Sequence, residues 1–99
     1  MCSHQLSDMI EIPVDEQIIV DCSKKWSNTT QLLVAVEECG EFVQAAMKFE
    51  NRGGSVDALI AESADVMFLM LQMRCIFGER VFDEALNRTV EKVSKIIRR

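Results

Sequence analysis

Four acidic residues occur in two pairs with the same spacing. Glu38 and Glu41 are three positions apart, and so are Glu62 and Asp65. Residues three apart lie on one face of a helix, and apolar residues surround all of them except Glu41, which lies nearer a polar strip. Burial of a carboxylate costs on the order of several kcal/mol even after relaxation. We therefore expect something positively charged to be held there.

A cluster of carboxylates requires cations. Two carboxylates about 4 Å apart repel by roughly 4 kcal/mol at an effective dielectric constant of about 20, so four of them cannot all stay ionised alone. An all-oxygen cluster selects hard ions, here Mg²⁺ or Mn²⁺. A di-iron bundle is the nearest rival site, but it needs Glu-x-x-His on two helices. The sequence has one histidine, His4, which lies outside every predicted helix.

The second acid pair lies in a long apolar segment, ALIAESADVMFLMLQMRCIF, at residues 58–77. The segment contains no Gly or Pro, and its apolar residues occur at every angle around a helix axis, which is typical of a helix covered on all sides. A membrane span is disfavoured because the segment carries two acids and an arginine. The alternative of a core helix whose acids pair with basic residues of a neighbour stays open.

Helical spacing of apolar residues predicts an all-α fold, an antiparallel bundle of about four helices. A helix of about three turns is expected from Pro13, a second at residues 27–50, and a last at residues 79–97. Asn28 and Gln31 resemble a capping box for the second helix, and glycines end the second and central helices. We expect the last helix to run antiparallel to the central one and to bury an apolar stripe. That stripe consists of Phe82, Ala85, Leu86, Thr89, Val93, Ile96 and Ile97.

Size and charge limit the possible partners. The 99 residues predict one domain, residues 1–99, of which residues 1–12 form a loose arm. A chain this short buries about two-thirds of its unfolded surface, so a central helix covered on all sides predicts a homo-oligomer, either a dimer or a tetramer. The net charge of −5 and the pI near 4.8 argue against binding to nucleic acid or to an anionic membrane. No charged and apolar leader opens the sequence, so we expect a cytoplasmic protein.

The pattern Glu-Glu-x-x-Glu at residues 37–41, followed by Glu-x-x-Asp at residues 62–65 in an apolar helix, resembles that of the MazG-like, all-α nucleoside triphosphate pyrophosphohydrolases. The resemblance extends over roughly residues 26–95. It implies Mg²⁺-dependent cleavage of a nucleoside triphosphate to the monophosphate and pyrophosphate, on an oligomeric helical bundle. By the family pattern, the metal ligands are Glu38, Glu41, Glu62 and Asp65. In such a reaction Glu38 or Glu41 could position or deprotonate the attacking water.

The resemblance also implies roles for residues outside the acid pairs. Lys92 and Lys95 stand where family members use basic residues of the last helix on the phosphates, and Trp26 stands near the place of the base pocket. The alternatives are a solvated basic face for the lysines and a core anchor for the tryptophan. The chain departs from the family pattern at Thr89 and Val90, where many relatives carry an Asn.

Two other functions stay open at the level of sequence. A phosphoribosyl-ATP pyrophosphohydrolase would use a related helical bundle with the same metal chemistry. A non-catalytic helical dimer would serve as an interaction module, with its acids paired to Arg74 or to the basic residues of the last helix. Thermal stability distinguishes a metal site from an ion-paired core, because only the metal site is stabilised by Mg²⁺.

Overall fold

The computed structural model describes residues 10–99, and the regular secondary structure in that range is entirely α-helical. The helices are α1 (Glu16–Lys25), α2 (Asn28–Arg52), α3 (Val56–Phe77) and α4 (Glu79–Ile97). The predicted all-α class is confirmed. Most of the predicted amino-terminal arm, residues 1–9, lies outside the described residues. Within residues 10–99, none of the helices has the length and apolarity that a membrane crossing requires.

The start of α2 differs from the prediction. Ser27 Oγ accepts a hydrogen bond from the main-chain N–H of Thr30 at 3.1 Å, so Ser27 is the capping residue and Asn28 is the first helical residue. The predicted capping box of Asn28 and Gln31 is therefore wrong. Gln31 is only 2% exposed and places its amide inside the molecule.

A glycine ends α2, as predicted, and a serine caps α3. Gly53 has a φ of 67°, in the left-handed region, and ends α2. Ser55 Oγ accepts a hydrogen bond from the N–H of Ala58 at 3.0 Å and caps α3. Because this connection is so short, α2 and α3 form an antiparallel hairpin.

The hairpin of α2 and α3 has a fixed register. Near its open end, the Gln72 side chain donates a hydrogen bond to the Gln31 side chain at 2.8 Å, across the interface between the helices. Ala35 and Leu69 are buried beside this bond. Because the helices are antiparallel, each step forward along α2 from Gln31 corresponds to one step backward along α3 from Gln72. This register brings the two acid pairs opposite each other.

α1 packs against the carboxyl-terminal half of α3. Ser23 Oγ lies 3.9 Å from the Sγ atom of Cys75. Asp15 is the capping residue of α1, so the helix begins at Glu16 and Pro13 precedes it instead of lying in its first turn. With α1, α2 and α4 all packed against it, α3 is the central helix of the chain.

The prediction that α3 is covered on all sides is not met within one chain. Ile60 and Met67 are 60% and 51% exposed. The reason is geometric: the three neighbouring helices leave this face of α3 without a partner.

Arg74 joins α4 to the end of α3. Its Nε and Nη2 atoms donate to the two carboxylate oxygens of Asp83 at 2.8 and 2.9 Å, and its Nη1 atom lies 3.7 Å from Glu79. The Arg74 guanidinium holds the pKa of Asp83 below its ordinary value. The first turn of α4 is thus tied to the last turn of α3, across the single glycine at position 78.

The rest of α4 does not bury the predicted apolar stripe. None of its residues is buried, and Leu86, Val93 and Ile97 are 53%, 44% and 76% exposed. The prediction is therefore wrong for the single chain. Because α1 already packs against the carboxyl-terminal half of α3, only the first turn of α4 finds a partner there.

Candidate metal centre

Three of the four predicted acids meet at one level of the hairpin. Glu38 and Glu41 come from α2 and Glu62 comes from α3, and one carboxylate oxygen of each lies within 4.8 Å of the others. The three-residue spacing puts the α2 pair on one face, and the antiparallel register places Glu62 opposite it. We refer to Glu38, Glu41 and Glu62 as the acid cluster.

Asp65 lies one turn further along α3 and does not belong to this close group. It still belongs to the same electrostatic site, because its negative charge raises the pKa of both Glu38 and Glu62. Asp65 also lines a cavity together with Glu38. The four predicted acids are therefore neighbours, with Asp65 at the border between the acid cluster and the cavity.

The acid cluster disfavours its own ionisation. Burial, together with the charges of Glu41, Asp65 and Glu62, raises the pKa of Glu38 from 4.5 to about 7. Burial and the Glu41 charge also raise the pKa of Glu62. The acid cluster is therefore not fully ionised at neutral pH, and a nearby positive charge would be needed to ionise it fully.

No basic side chain of residues 10–99 forms an ion pair with the acid cluster. Arg74, which the sequence offered as a partner for the acids, binds Asp83 and Glu79 instead. The described part of the chain therefore offers these acids no ion-pair partner.

Two oxygens of the acid cluster are buried without a partner. Glu38 Oε2 and Glu62 Oε2 are inaccessible to solvent, and neither has a hydrogen-bond partner within the described part of the chain. Buried polar atoms are almost always satisfied, so each exception calls for an explanation. A divalent cation would explain both, since the available ligand atoms are all carboxylate oxygens, which Mg²⁺ and Mn²⁺ prefer.

A cavity of about 510 Å³ adjoins the acid cluster. Its volume lies within the range of small-molecule sites. Glu38 and Asp65 stand at one end, Gln31 and Gln72 stand at the other, and apolar side chains lie between. The lining residues are Cys22, Trp26, Thr30, Gln31, Val34, Glu38, Asp65, Phe68, Leu69 and Gln72.

The remaining predicted site residues lie in different places. Trp26 lines the cavity and is 46% exposed, so it is not a core anchor within one chain. Lys92 and Lys95 are on the exposed part of α4 and are not among the residues that line the cavity. Within one chain, Trp26 therefore lines the same cavity as Glu38 and Asp65, whereas Lys92 and Lys95 do not.

Sequence reasoning missed the amide pair at the far end of the cavity. The spacing of Asn28 and Gln31 also fits a capping box, and Gln72 is a single polar residue in an apolar segment. One signal was available: Gln72 is an isolated uncharged polar residue in the most apolar part of α3. Its partner lies 41 residues away in the sequence, and no local pattern identifies it.

In comparisons with protein-family models, curated proteins and solved structures, the chain matches none of them. The chemistry of the site must therefore be inferred from its own side chains.

Proposed function

We propose that the chain is a Mg²⁺-dependent nucleoside triphosphate pyrophosphohydrolase, which converts a nucleoside or deoxynucleoside triphosphate to the monophosphate and pyrophosphate. One observation carries this proposal. Glu38 Oε2 and Glu62 Oε2 are buried without hydrogen-bond partners in an all-carboxylate cluster, directly beside a cavity of about 510 Å³. A hard cation would balance the charge of such a cluster, and a triphosphate is a ligand that Mg²⁺ characteristically binds.

The acids would have two roles, the binding of the metal and the positioning or deprotonation of water. Glu38, Glu41, Glu62 and Asp65 would hold Mg²⁺, or Mn²⁺ in its place. When bound, the metal neutralises charge on the triphosphate oxygens and lowers the pKa of the attacking water. Glu38 and Glu41 are the candidates for positioning or deprotonating that water, and Glu41 is the exposed member of the acid cluster, open to solvent.

The cavity would hold the nucleoside. Trp26 and Phe68 supply aromatic surface in its lining, and aromatic rings offer flat faces to a base. The acids occupy one end of the cavity, so a nucleotide bound there would lie with its phosphates on the acids and its base between the helices.

The lysines would act from a second copy of the chain. Large apolar side chains of α2, among them Leu33, Val36 and Val43, are 60%, 63% and 57% exposed. Homo-oligomerisation, as a dimer or tetramer, would cover part of this surface and could bring Lys92 and Lys95 on α4 to the triphosphate of a neighbouring subunit.

The exposed apolar residues also support a second candidate, a non-catalytic interaction module. Its apolar surface would bind a partner, and the acid cluster would have no role in catalysis. The two candidates differ in their response to nucleotides and Mg²⁺.

Pyrophosphate release separates them. The wild type, Glu62→Gln and the control Glu50→Gln, which alters an exposed acid at the end of α2, are assayed with a panel of ribo- and deoxynucleoside triphosphates, with Mg²⁺ or EDTA. We expect Mg²⁺-dependent release in the wild type and the control, and none in Glu62→Gln. If the folded protein releases no pyrophosphate from any of these substrates or from phosphoribosyl-ATP, the proposal fails and the interaction module is favoured.

A further inference from the structure

The far end of the cavity is closed by two buried amides. Gln31 and Gln72 are 2% and 4% exposed. Gln72 Nε2 donates to Gln31 Oε1 at 2.8 Å, and Gln31 Nε2 donates to the main-chain carbonyl of Trp26 at 3.2 Å. Burial of two amides is costly unless their hydrogen-bonding groups are used, and these bonds use three of the four polar side-chain atoms of the pair.

The hydrogen bonds fix the orientation of both amides. The Trp26 carbonyl can only accept, so the Gln31 side chain must turn its Nε2 atom toward it. Gln31 Oε1 therefore points to Gln72 and needs a donor, which only Nε2 of Gln72 can supply. The main-chain carbonyl of Trp26 thus sets the orientation of the Gln72 amide through Gln31. The Oε1 atom of Gln72 takes no part in these hydrogen bonds.

That oxygen belongs to a side chain that lines the cavity. Among residues 10–99, the hydrogen bond of the Gln72 side chain uses its Nε2 atom, and its Oε1 atom accepts none. It is also not one of the solvent-inaccessible oxygens without a partner, which are Glu38 Oε2 and Glu62 Oε2. A ligand in the cavity therefore meets a fixed hydrogen-bond acceptor on a side chain that is otherwise buried.

The acceptor lies at a useful distance from the acids. Asp65 and Gln72 are separated by two turns of α3, roughly 10 Å along the helix axis, and so are Glu38 and Gln31 on α2. Phe68 and Leu69 line the cavity between these levels. This length leaves room for a sugar and a base between phosphates held at the acids and the acceptor.

We infer that Gln72 determines base specificity by accepting a hydrogen bond from the exocyclic amino group of the nucleobase, so that the cavity prefers cytosine or adenine to their deaminated forms. This inference rests on the proposed function, because it assumes that the cavity holds a nucleotide. An amino group offers hydrogen to the Gln72 oxygen. The oxo group of uracil or hypoxanthine would place a second acceptor against it and leave both oxygens unsatisfied.

Nucleotide binding tests this inference without requiring catalysis. Trp26 is the only tryptophan and lines the cavity, so its fluorescence reports binding. The affinities for dCMP and dUMP, and for dAMP and deoxyinosine monophosphate, are compared in the wild type and in Gln72→Met. A double variant, Gln31→Met with Gln72→Met, replaces both side-chain amides at once, so that neither is left buried without the other. The Trp26 carbonyl, which loses its donor, belongs to a residue that is 46% exposed. Gln44→Met, at an exposed position of α2, is the control.

We expect the wild type and Gln44→Met to bind the amino-bearing base of at least one pair about tenfold more tightly, the loss expected for one unsatisfied buried hydrogen bond. The preference should disappear in Gln72→Met and in the double variant. A wild type without preference, or a preference that survives both substitutions, would overturn the inference and leave the proposed function standing. A preference that depends on Gln72 in a protein that releases no pyrophosphate would support the inference and refute the proposed reaction. Failure to bind any of the four monophosphates would overturn the inference, and together with an absence of pyrophosphate release it would refute both.

Discussion

Glu38 shows at the scale of a single residue that the acid cluster is destabilised by its own charges. Its Oε2 atom is buried without a partner among the described residues, and three neighbouring carboxylates oppose its ionisation. Strongly perturbed pKa values cluster at functional sites. A proton or a metal ion relieves the same repulsion, so pH and Mg²⁺ should act on the same residue.

The stability of the metal-free protein should therefore fall as pH rises. The pKa of Glu38 is about 7 in the folded protein, against an ordinary value of 4.5. Between these values the folded protein holds a proton that the unfolded chain releases, so the free energy of unfolding decreases across this window and stays lower above it. Urea unfolding in EDTA from pH 5 to pH 8 measures this decrease.

Glu38→Gln should reduce that pH dependence and stabilise the metal-free protein at pH 8, because it removes the unfavourable charge. Glu37→Gln, at the exposed neighbouring position, should leave the slope unchanged. Equal slopes in the wild type and Glu38→Gln would show that the acid cluster does not carry the strain assigned to it.

The sequence predicted much of the site at this scale and missed part of it. The spacing of Glu38, Glu41 and Glu62 was sufficient to predict their convergence, because a short antiparallel hairpin leaves few possible registers. The exact level of Asp65 depends on side-chain geometry that spacing does not determine. The role of Gln31 was missed because a Gln three positions after an Asn also fits a helix cap, and its true partner is distant in sequence.

At the scale of elements, α3 organises the chain and α4 is attached to it at one end. The glycines predicted where α2 and α3 end, because Gly53 and Gly78 act locally. The predicted cap of α2 and the predicted start of α1 were wrong. An apolar stripe, by contrast, indicates that a helix face becomes covered but not which surface covers it. The packing of α4 could not be predicted for that reason.

The attachment of α4 should depend on the Arg74 and Asp83 pair. Asp83→Asn removes the charge that receives both guanidinium hydrogen bonds, so α4 should open more easily from α3. Hydrogen exchange of the α4 amides, residues 79–97, should become faster, while exchange in α2 stays the same. Glu84→Gln, at the adjacent exposed position, is the matched control. Unchanged exchange in Asp83→Asn would mean that other contacts hold α4.

At the scale of the whole molecule, the single chain exposes a long apolar face. One face of α2 carries Leu32, Val36, Val43 and Met47, each about half exposed or more. An apolar face of this length on a monomer is unusual, which supports the proposed homo-oligomer.

Sedimentation velocity tests that proposal. Val36→Lys places a charge in the apolar face of α2 and should shift the protein toward monomer, because a lysine there cannot be buried without a partner. Val36 is 63% exposed in the single chain, so the same change should hardly affect the fold of a monomer. Gln44→Lys makes the same charge change on the polar side of α2 and should preserve the oligomer. A wild type that sediments as a monomer at all concentrations would refute the proposal.

Direct Mg²⁺ binding is the most decisive measurement for the central claim that the acid cluster is a metal site. Calorimetric titration at pH 8, where the raised pKa of Glu38 no longer keeps it protonated, should show binding to the wild type and to Glu50→Gln but not to Glu62→Gln. Mn²⁺ should compete for the same site. If the wild type does not bind Mg²⁺, or if Glu62→Gln binds it as well as the wild type does, the acid cluster is not a metal centre and the proposed reaction is contradicted.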